Sequence, residues 1–270
     1  MTGASTDCLI GRVAIVTGAN SGIGRGIAHA LANEGARVVV AGRTSERNEA
    51  VAQAISSAGG EALAVTADVT REEDVIALVE QTMQTYGRLD ICVANSGGTE
   101  AGVSAVEDMD LQMWRDVVSL NLESVFVLYR EAIRRMIPAG SGVLIGVSSA
   151  SAIRSTGSAF HYSAAKAGVN ALTMSLAEHL GPKGIRINTI VPGFIEAAST
   201  APFLANKAFR RGIEQRIPLR RVGQPDDVGE LAVFLASDRS SFITGQHFVI
   251  DGGQTQRMVS DPPANPQQAG

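Results

Sequence analysis

Tyr162 and Lys166 lie four residues apart in a stretch rich in small helix-forming residues, so their side chains are predicted to share one helix face. An unperturbed tyrosine has a pKa of about 10, which is too high for it to act readily as a base near neutral pH. A lysine ammonium one turn away favours the phenolate and is expected to lower that pKa. The pair could then give a proton to a carbonyl oxygen or take one from an alcohol. A surface tyrosine and lysine on an ordinary helix would show the same spacing, so the pair alone is a weak signal.

Ser149 lies shortly before this pair, just after the apolar run Gly142–Val147. The run is predicted to be a buried strand, and the helix that carries the tyrosine follows it. Ser149 is therefore expected at the end of a strand, where its hydroxyl could hydrogen-bond the same oxygen as the tyrosine and orient it. His161, beside the tyrosine, is interpreted as a pocket-wall or packing residue rather than a catalyst.

Strand-like and helix-like segments alternate along the chain, and the strand-like runs are continuously apolar. The strands are predicted at 13–16, 38–41, 62–66, 89–93, 142–147, 185–191 and 247–250. The helices are predicted at 25–34, at 45–58, from an N-cap at Thr70 to Tyr86, at 111–137 with Pro138 as the stop, at 164–180 and at 226–236. This order predicts the α/β class, as a single-domain Rossmann-type doubly wound parallel sheet with helices on both faces.

The predicted domain organisation is a flexible N-terminal arm over residues 1–10, one dinucleotide-binding and catalytic domain over 11–256, and a tail over 257–270. The tail is rich in Pro, Gln and Ala, a composition that favours disorder. No internal repeat and no linker divides the domain.

Bulk composition narrows the classes of function. The net charge of −4 argues against general nucleic-acid binding. The N-terminus lacks the basic and apolar regions of a signal peptide, and no apolar run reaches membrane-spanning length, so no membrane partner is expected. Cys8 and Cys92 form no CxxC pair and no metal set, which predicts free thiols, no metal site and a cytoplasmic location.

A glycine cluster, Gly18, Gly22 and Gly24, lies between the first predicted strand and the first predicted helix. This is the position of the dinucleotide fingerprint, although the spacing is not GxGxxG. Glycines there let the backbone approach a pyrophosphate, and the N-terminus of the helix supplies amide donors. The alternative is a plain turn, which the strand–turn–helix context disfavours.

Arg43 follows the second strand, at the place expected to meet the adenosine ribose. NAD-binding sites favour a carboxylate there for the ribose 2′-hydroxyl, whereas an arginine accommodates a 2′-phosphate. The strand ends in Gly42-Arg43 with no acid, which favours NADP(H) over NAD(H). The alternative is that Arg43 is a solvated loop residue.

Taken together, these motifs resemble the short-chain dehydrogenase/reductase family over roughly residues 10–253, and within it the 3-oxoacyl-carrier-protein-reductase-like branch. The matching motifs are the TGxxxGIG loop from Thr17 to Gly24, the adenine-contacting pair Asp68-Val69, a varied NNAG segment at Asn95-Ser96-Gly97, the tetrad Asn121, Ser149, Tyr162 and Lys166, the Pro192-Gly193 turn, and the C-terminal strand and turn at 249–253. One such motif is weak, but six in sequence at family-like spacing are very specific.

The resemblance implies catalytic roles for the tetrad. Tyr162 would be the general acid/base, and Ser149 would hold the substrate oxygen. Lys166 would bind the nicotinamide ribose and lower the tyrosine pKa, and Asn121 would bind a water that joins Lys166 to solvent. Hydride would pass directly between the cofactor and the substrate carbon. The cofactor-binding residues implied in the same way are Gly18, Asn20, Ser21, Gly22, Ile23, Gly24, Arg43, Asp68, Val69, Asn95, Gly97, Tyr162, Lys166, Pro192, Gly193 and Ile195.

The resemblance also implies a homotetramer packed through the long helices and the C-terminal strand, and a substrate lid at about 194–221 after the Pro192-Gly193 turn. One departure concerns the threonine that the family often places shortly after this turn to bind the nicotinamide carboxamide. Ala197 stands where that threonine is expected. Ser199, Thr200 or the backbone of Ile195 could take its place.

The lid is basic, and this leaves the substrate open. Its basic residues outnumber the acids Glu196 and Glu214, and Arg154 lies between Ser149 and Tyr162; the lid cations are Lys207, Arg210, Arg211, Arg216, Arg220 and Arg221. They could attract an acidic substrate such as a phosphopantetheine-linked acyl group. The favoured interpretation is that these cations form a solvated face or contact another subunit.

The leading hypothesis is an NADP(H)-dependent carbonyl reductase or alcohol dehydrogenase acting on a ketone or secondary alcohol as small-molecule substrate. A 3-oxoacyl-thioester reductase is the alternative within enzymes, weakened because residues 139–141, just before the serine strand, are not basic. A non-catalytic NADP(H)-sensing protein is the alternative from another class. A protein of that kind is expected to lack the tyrosine, the lysine or the serine, and this sequence has all three.

Overall fold

Seven parallel strands form one sheet in the order β3-β2-β1-β4-β5-β6-β7 in the computed structural model, which describes residues 8–99, 102–154, 157, 159–197 and 200–256. The strands are β1 Val13–Thr17, β2 Arg37–Gly42, β3 Glu61–Thr66, β4 Ile91–Ala94, β5 Gly142–Val147, β6 Ile185–Pro192 and β7 His247–Ile250. The helices are α1 Gly22–Asn33, α2 Ser45–Ser57, α3 Glu72–Tyr86, α4 Leu111–Val118, α5 Ser124–Ala139, α6 Phe160–Leu180, α7 Ala201–Leu204, α8 Lys207–Arg216 and α9 Pro225–Ala236. The predicted α/β class with a doubly wound parallel sheet is confirmed.

The sheet is buried on both faces, which explains why its strands are continuously apolar. In β1, Ala14 and Val16 pack into one hydrophobic cluster and Ile15 into the other, because successive side chains of a strand point to opposite faces. The first cluster includes residues of α1, α2 and α9, and the second includes residues of α3, α5 and α6. The helices therefore form a layer on each face of the sheet.

The order of the strands reverses between β1 and β4, which are neighbours in the sheet. The chain builds β2 and β3 on one side of β1, and then crosses over to add β4 to β7 on the other side. Loops that leave the carboxyl ends of β1 and β4 diverge at this point and open a crevice, where α/β sheets bind ligands.

Three local predictions are corrected by the structure. Pro138 does not stop α5, which runs to Ala139 and ends at Gly140 with a left-handed φ of 67°. Thr70 is not the N-cap of α3, because its hydroxyl donates to Asp68 Oδ1 at 2.7 Å and the N-cap is Arg71. The predicted helix at 111–137 is interrupted by a π-helical segment, Ser119–Glu123, between α4 and α5.

The other predicted elements are present with ends shifted by a few residues. The predicted arm and tail lie largely or wholly outside the described residues, so both stay predictions. Among the helices of the described part of the chain, none is long and apolar enough to cross a membrane.

Candidate active site

A cavity of about 480 Å³ opens at the carboxyl edge of the sheet. It is lined by the loops that follow β1 to β6 and by the first turns of α6. Most of the predicted site residues line it: Gly18, Asn20, Ser21, Gly22, Ile23, Arg43, Asp68, Val69, Asn95, Gly97, Ser149, Tyr162, Lys166, Pro192 and Gly193. Gly24, Asn121 and Ile195 do not line it.

The loop between β1 and α1 is shaped by glycines that have no room for a side chain. Gly18 has a φ of +62°, and a Cβ there would lie 2.9 Å from Asn95 Nδ2. A Cβ on Gly24 would overlap the Gly18 carbonyl oxygen, so Gly24 lets α1 pack on the loop although it does not itself line the cavity. The N-cap residue Ser21 makes no side-chain capping bond. The first amides of α1 therefore face the cavity without a side-chain acceptor, as an anion site requires.

A buried hydrogen-bond network joins this loop to the loop after β4. Thr17 Oγ1 accepts from the backbone nitrogens of Asn95 at 3.1 Å and Ser96 at 3.2 Å. Asn95 Nδ2 donates in turn to the Thr17 carbonyl oxygen at 2.9 Å. Because Thr17 is buried, these bonds hold the two walls of the crevice at a fixed separation.

Two arginines flank the end of the cavity beyond β2. Arg43 lines it as predicted, and Arg47, in the first turn of α2, lines it as well. Sequence reasoning missed Arg47, although its position four residues after Arg43 was an available signal. Asp68 lies nearby: burial alone would raise its pKa, but hydrogen bonds from Thr70 and the charge of Arg43 bring the pKa below its usual value.

Tyr162 lies at the other end of the cavity, half-buried, on the first turn of α6. Burial raises the pKa of Tyr162 above its usual value, and a hydrogen bond with Ser149 partly opposes the rise. The expected lowering of this pKa by Lys166 is therefore wrong for the protein alone. Lys166 Nζ lies 5.7 Å from the centroid of the tyrosine ring and donates to the Val147 carbonyl oxygen at 2.9 Å. Burial also lowers the pKa of Lys166 to about 8, so the lysine is still mostly charged near neutral pH but gives up its proton more readily than an exposed lysine.

Ser149 follows β5 as predicted and has a partner that sequence reasoning missed. Its Oγ accepts from the backbone nitrogen of Ser151 at 3.2 Å and from Ser151 Oγ at 2.9 Å. With its acceptor side occupied, the Ser149 hydroxyl keeps its proton for donation towards Tyr162 or a substrate oxygen. Nothing in the sequence beyond a third serine at 151 indicated this contact.

Asn121 lies behind the cavity wall, in the π-helical segment, and is fully buried. Its Nδ2 donates to the carbonyl oxygens of Gly98 at 2.8 Å and Val117 at 2.9 Å, and its Oδ1 accepts from Gly98 N at 2.9 Å. A Cβ at Gly97 would lie 2.6 Å from Asn121 Oδ1 and 2.8 Å from Lys166 Nζ. The absence of a side chain at Gly97 thus lets Asn121 and Lys166 converge. Three bonds already occupy the asparagine amide, and its water-binding role stays a prediction.

The turn after β6 is stabilised by hydrogen bonds between a threonine side chain and the backbone of the turn. Thr200 Oγ1 accepts from Ala197 N at 2.8 Å and donates to the Ile195 carbonyl oxygen at 2.9 Å. Thr200 therefore shapes the turn and does not line the cavity, and the Ile195 carbonyl is already engaged. Ala197 does line the cavity. Ser199, the other predicted substitute for the missing threonine, lies outside the described residues.

His161 is fully buried and lies outside the cavity lining, as expected of a packing residue. Its Nε2 lies 3.1 Å from the Gly102 carbonyl oxygen. In the predicted lid, Arg210 pairs with Glu196 at 3.1 Å and with Glu214 at 3.0 Å. These acids neutralise Arg210, which weakens the interpretation of the lid as an attractor of acidic substrates.

The cavity residues fit a nicotinamide dinucleotide. A glycine loop with no room for side chains, the free amides of α1 and two arginines occupy one end, and Tyr162, Lys166 and Ser149 occupy the other. Within the part of the chain that the structure describes, no cluster of His, Cys, Asp and Glu could hold a metal ion. A doubly wound sheet with such a site defines a nicotinamide-dependent oxidoreductase.

Comparison with known proteins gives the same class. The family model described as "Enoyl-(Acyl carrier protein) reductase" matches residues 18–255. The chain belongs to the short-chain dehydrogenase/reductase family, and it is an oxidoreductase that acts on a carbonyl or alcohol with a nicotinamide cofactor.

Three similar proteins illustrate the range of this family. The chain is 40% identical to cis-4-hydroxycyclohexanecarboxylate dehydrogenase of Sinomonas cyclohexanicum, over 90% of this chain and 96% of the relative. It is 38% identical to 3-oxoacyl-(acyl-carrier-protein) reductase of Chlamydia pneumoniae, over 92% of this chain and 98% of the relative. A crystal structure from Beutenbergia cavernae, described as an NAD(P)-dependent gluconate 5-dehydrogenase with bound NADP, superimposes with a TM-score of 0.86 at 36% identity, over 94% of this chain and all of that one.

Proposed function

We propose that this protein reduces a small ketone to a secondary alcohol with NADPH, and that Tyr162 is the proton donor. The observation that carries the proposal is one cavity that runs from Arg43 and Arg47 to the Tyr162, Ser149 and Lys166 side chains. The cofactor, when bound, supplies the hydride.

The proton-transfer residues suit reduction. Because burial keeps the pKa of Tyr162 above its usual value, the phenol is protonated near neutral pH and can donate to a developing alkoxide. Ser149, whose oxygen is occupied by Ser151, gives a second hydrogen bond to the same substrate oxygen. Lys166, which donates to the Val147 carbonyl oxygen, would bind a ribose hydroxyl of the cofactor and pass a proton through that hydroxyl to Tyr162. A water held by Asn121 would then resupply Lys166 from solvent, as the resemblance implies.

The preference for NADP(H) follows from charge at the end of β2. Arg43 and Arg47 line the cavity there, and the residues directly after the strand include no carboxylate. A 2′-phosphate would gain charge-assisted hydrogen bonds from the guanidinium groups. Fluorescence titration with NADPH and NADH tests this on wild type, on Arg43→Ala, and on Arg25→Ala, whose arginine is exposed on α1 and outside the cavity lining. We expect only Arg43→Ala to lose the NADPH preference. A wild type that binds NADH more tightly would contradict the proposal.

The substrate proposed is a ring ketone or its alcohol, because the first relative described above acts on a hydroxylated cyclohexane ring. A 3-oxoacyl thioester is the second candidate, supported by the similarity to the Chlamydia pneumoniae reductase. An assay of NADPH oxidation with cyclohexanone, 4-oxocyclohexanecarboxylate and acetoacetyl-CoA separates the two. Activity on the thioester alone would favour the second candidate. Tight NADPH binding with no turnover on any carbonyl would revive the non-catalytic NADP(H)-sensing alternative.

A homo-oligomer, as a tetramer, is proposed as the working form. Large apolar side chains are exposed on α4, α5, α6 and β7, which are the elements that the resemblance assigns to subunit contacts; they are Leu111, Trp114, Phe126, Met174 and Val249. Sedimentation-velocity analysis tests this, and a monomer at assay concentration would contradict it.

The two free thiols suit the proposed cytoplasmic location, and the net charge suits a protein with no nucleic-acid partner.

A further inference from the structure

Asn48 is a fully buried polar residue on an otherwise apolar helix face. It follows Arg47 in α2, and the other buried residues of the helix are Val51, Ala52 and Ile55. Burying an amide costs free energy unless its hydrogen-bonding groups are satisfied. An apolar residue at position 48 would be enough to fill this space. The presence of an asparagine is therefore explained by its hydrogen bonds.

The Asn48 side chain joins three segments at the cofactor end of the cavity. Its Nδ2 donates to the Gly42 carbonyl oxygen at 2.8 Å and to the Val65 carbonyl oxygen at 3.0 Å. Its Oδ1 accepts from Asn20 Nδ2 at 3.0 Å. One amide therefore binds the end of β2, the end of β3 and the loop that precedes α1.

Gly42 provides the room for this junction. A Cβ at Gly42 would lie 2.5 Å from Asn20 Nδ2 and 2.8 Å from Asn48 Oδ1. The two amides thus meet in the space that a side chain at position 42 would fill. Arg43 follows this glycine directly, so the backbone that carries Arg43 and the helix turn that carries Arg47 are both tied to the Asn48 amide.

We infer that Asn48 is a positioning residue for cofactor selectivity: it fixes Arg43 and Arg47 relative to the loop at Asn20, and so sets the discrimination between nucleotides with and without a 2′-phosphate. The inference rests on the proposed preference for NADP(H). Asn48 does not line the cavity and acts only through its neighbours. Its loss is expected to weaken recognition of the 2′-phosphate more than recognition of the pyrophosphate, which depends on the glycine loop and the amides of α1.

The test is calorimetric titration of the folded protein with NADPH, NADH, 2′,5′-ADP and 5′-AMP. Asn48→Leu removes the three hydrogen bonds and keeps most of the volume. Thr82→Val is the matched control, because Thr82 is a fully buried polar residue whose Oγ1 donates to the Leu78 carbonyl oxygen, away from the cavity. Thermal unfolding of each variant establishes that it is folded. Asn48→Ala serves as a second variant if the leucine is not accommodated.

For Asn48→Leu we expect affinity for NADPH and 2′,5′-ADP to fall about tenfold, which corresponds to roughly one neutral hydrogen bond at one subsite. Affinity for NADH and 5′-AMP is expected to fall less than about threefold. Thr82→Val leaves the ratio of the two affinities unchanged. Equal losses for all four nucleotides, or none, would overturn the inference.

A double-mutant cycle separates a positioning role from a general structural one. If Asn48 acts through the arginines, Asn48→Leu will have no further effect on the NADPH-to-NADH ratio in an Arg43→Ala/Arg47→Ala background. An undiminished effect in that background would overturn the inference. The proposed function has its own readout, since a wild type without NADPH preference refutes the cofactor assignment before any variant of Asn48 is considered.

Discussion

The cofactor edge of the cavity, formed by the loops after β1, β2 and β4, differs in construction from the predicted lid, residues 194–221. At the cofactor edge, buried Thr17 is hydrogen-bonded to Asn95, and buried Asn48 is hydrogen-bonded to the Val65 carbonyl oxygen. In the lid, α8 has no buried residue, and Phe203 and Phe209 are 58% and 41% exposed.

This difference indicates how the two regions recognise their ligands. Buried hydrogen bonds fix a geometry, because breaking one leaves an unsatisfied polar group. Surface ion pairs such as Arg210–Glu196 contribute little and are screened by salt. The cofactor edge is thus built before the ligand binds, whereas we expect the predicted lid to adapt to a substrate. Substitutions at the cofactor edge should therefore cost more than similar substitutions in the lid.

The largest effect is expected at Lys166. Lys166→Met is predicted to reduce turnover by about 100-fold or more, because it removes the cation that serves the proton path. It should also stabilise the protein. The folded-state pKa of Lys166, about 8, lies below the ordinary 10.5, so the buried charge destabilises the wild type fully below pH 8. This cost disappears as the pH rises towards 10.5.

Urea unfolding of wild type and Lys166→Met at several pH values measures the effect. The stability gained by the variant should be largest below about pH 8, and it should shrink by on the order of 3 kcal/mol as the pH rises from about 8 to 10.5. A difference that is constant with pH would contradict the assignment of a buried charge.

One substitution made in both regions tests the comparison directly. Gly24→Ala should destabilise the protein by about 1–3 kcal/mol and weaken NADPH binding, because its Cβ would overlap the Gly18 backbone. Gly212→Ala, in α8, meets nothing within 4 Å and should be neutral or slightly stabilising. Urea unfolding and NADPH titration check both variants. Equal destabilisation at the two sites would refute the distinction between the regions.

Ser151→Ala should have a smaller effect, on the chemical step alone. It removes the 2.9 Å hydrogen bond to Ser149 Oγ, so the serine hydroxyl loses one constraint on its orientation. The expected loss is about fivefold in kcat, which is the value of one neutral hydrogen bond, with NADPH affinity unchanged. Steady-state kinetics with saturating NADPH measures this loss. An unchanged kcat would show that Ser151 has no role in orienting Ser149.

The smallest effect is expected from Arg210→Ala, which breaks the ion pairs with Glu196 and Glu214. The free energy of unfolding should hardly change, since both pairs are partly exposed and screened by solvent. The KM for substrate should change by no more than about threefold. Urea unfolding and steady-state kinetics measure the two quantities. A loss of stability as large as that of Gly24→Ala would show that the lid is as rigid as the cofactor edge.

Local patterns were enough to predict the fold and many of the residues that line the cavity. The continuously apolar strands predicted a sheet covered on both faces, and glycine spacing after β1 located the cavity. The π-helical segment at Asn121 could not be predicted, because no local pattern marks it. Asn48 and Ser151 depend on which segments meet at the edge of the sheet, whereas the spacing of Arg47 from Arg43 was a signal in the sequence. The prediction for the pKa of Tyr162 was wrong because burial, which is a tertiary property, is the largest influence on it.

The central claim is that Tyr162 transfers the proton, and that the cofactor end of the cavity keeps its structure without the tyrosine hydroxyl. Tyr162→Phe keeps the ring and removes the hydroxyl, so NADPH titration and single-turnover reduction of a ring ketone test the claim together. We predict an NADPH dissociation constant within about twofold of wild type and a turnover reduced by at least about 100-fold. A variant that binds NADPH normally and retains wild-type turnover would contradict the account.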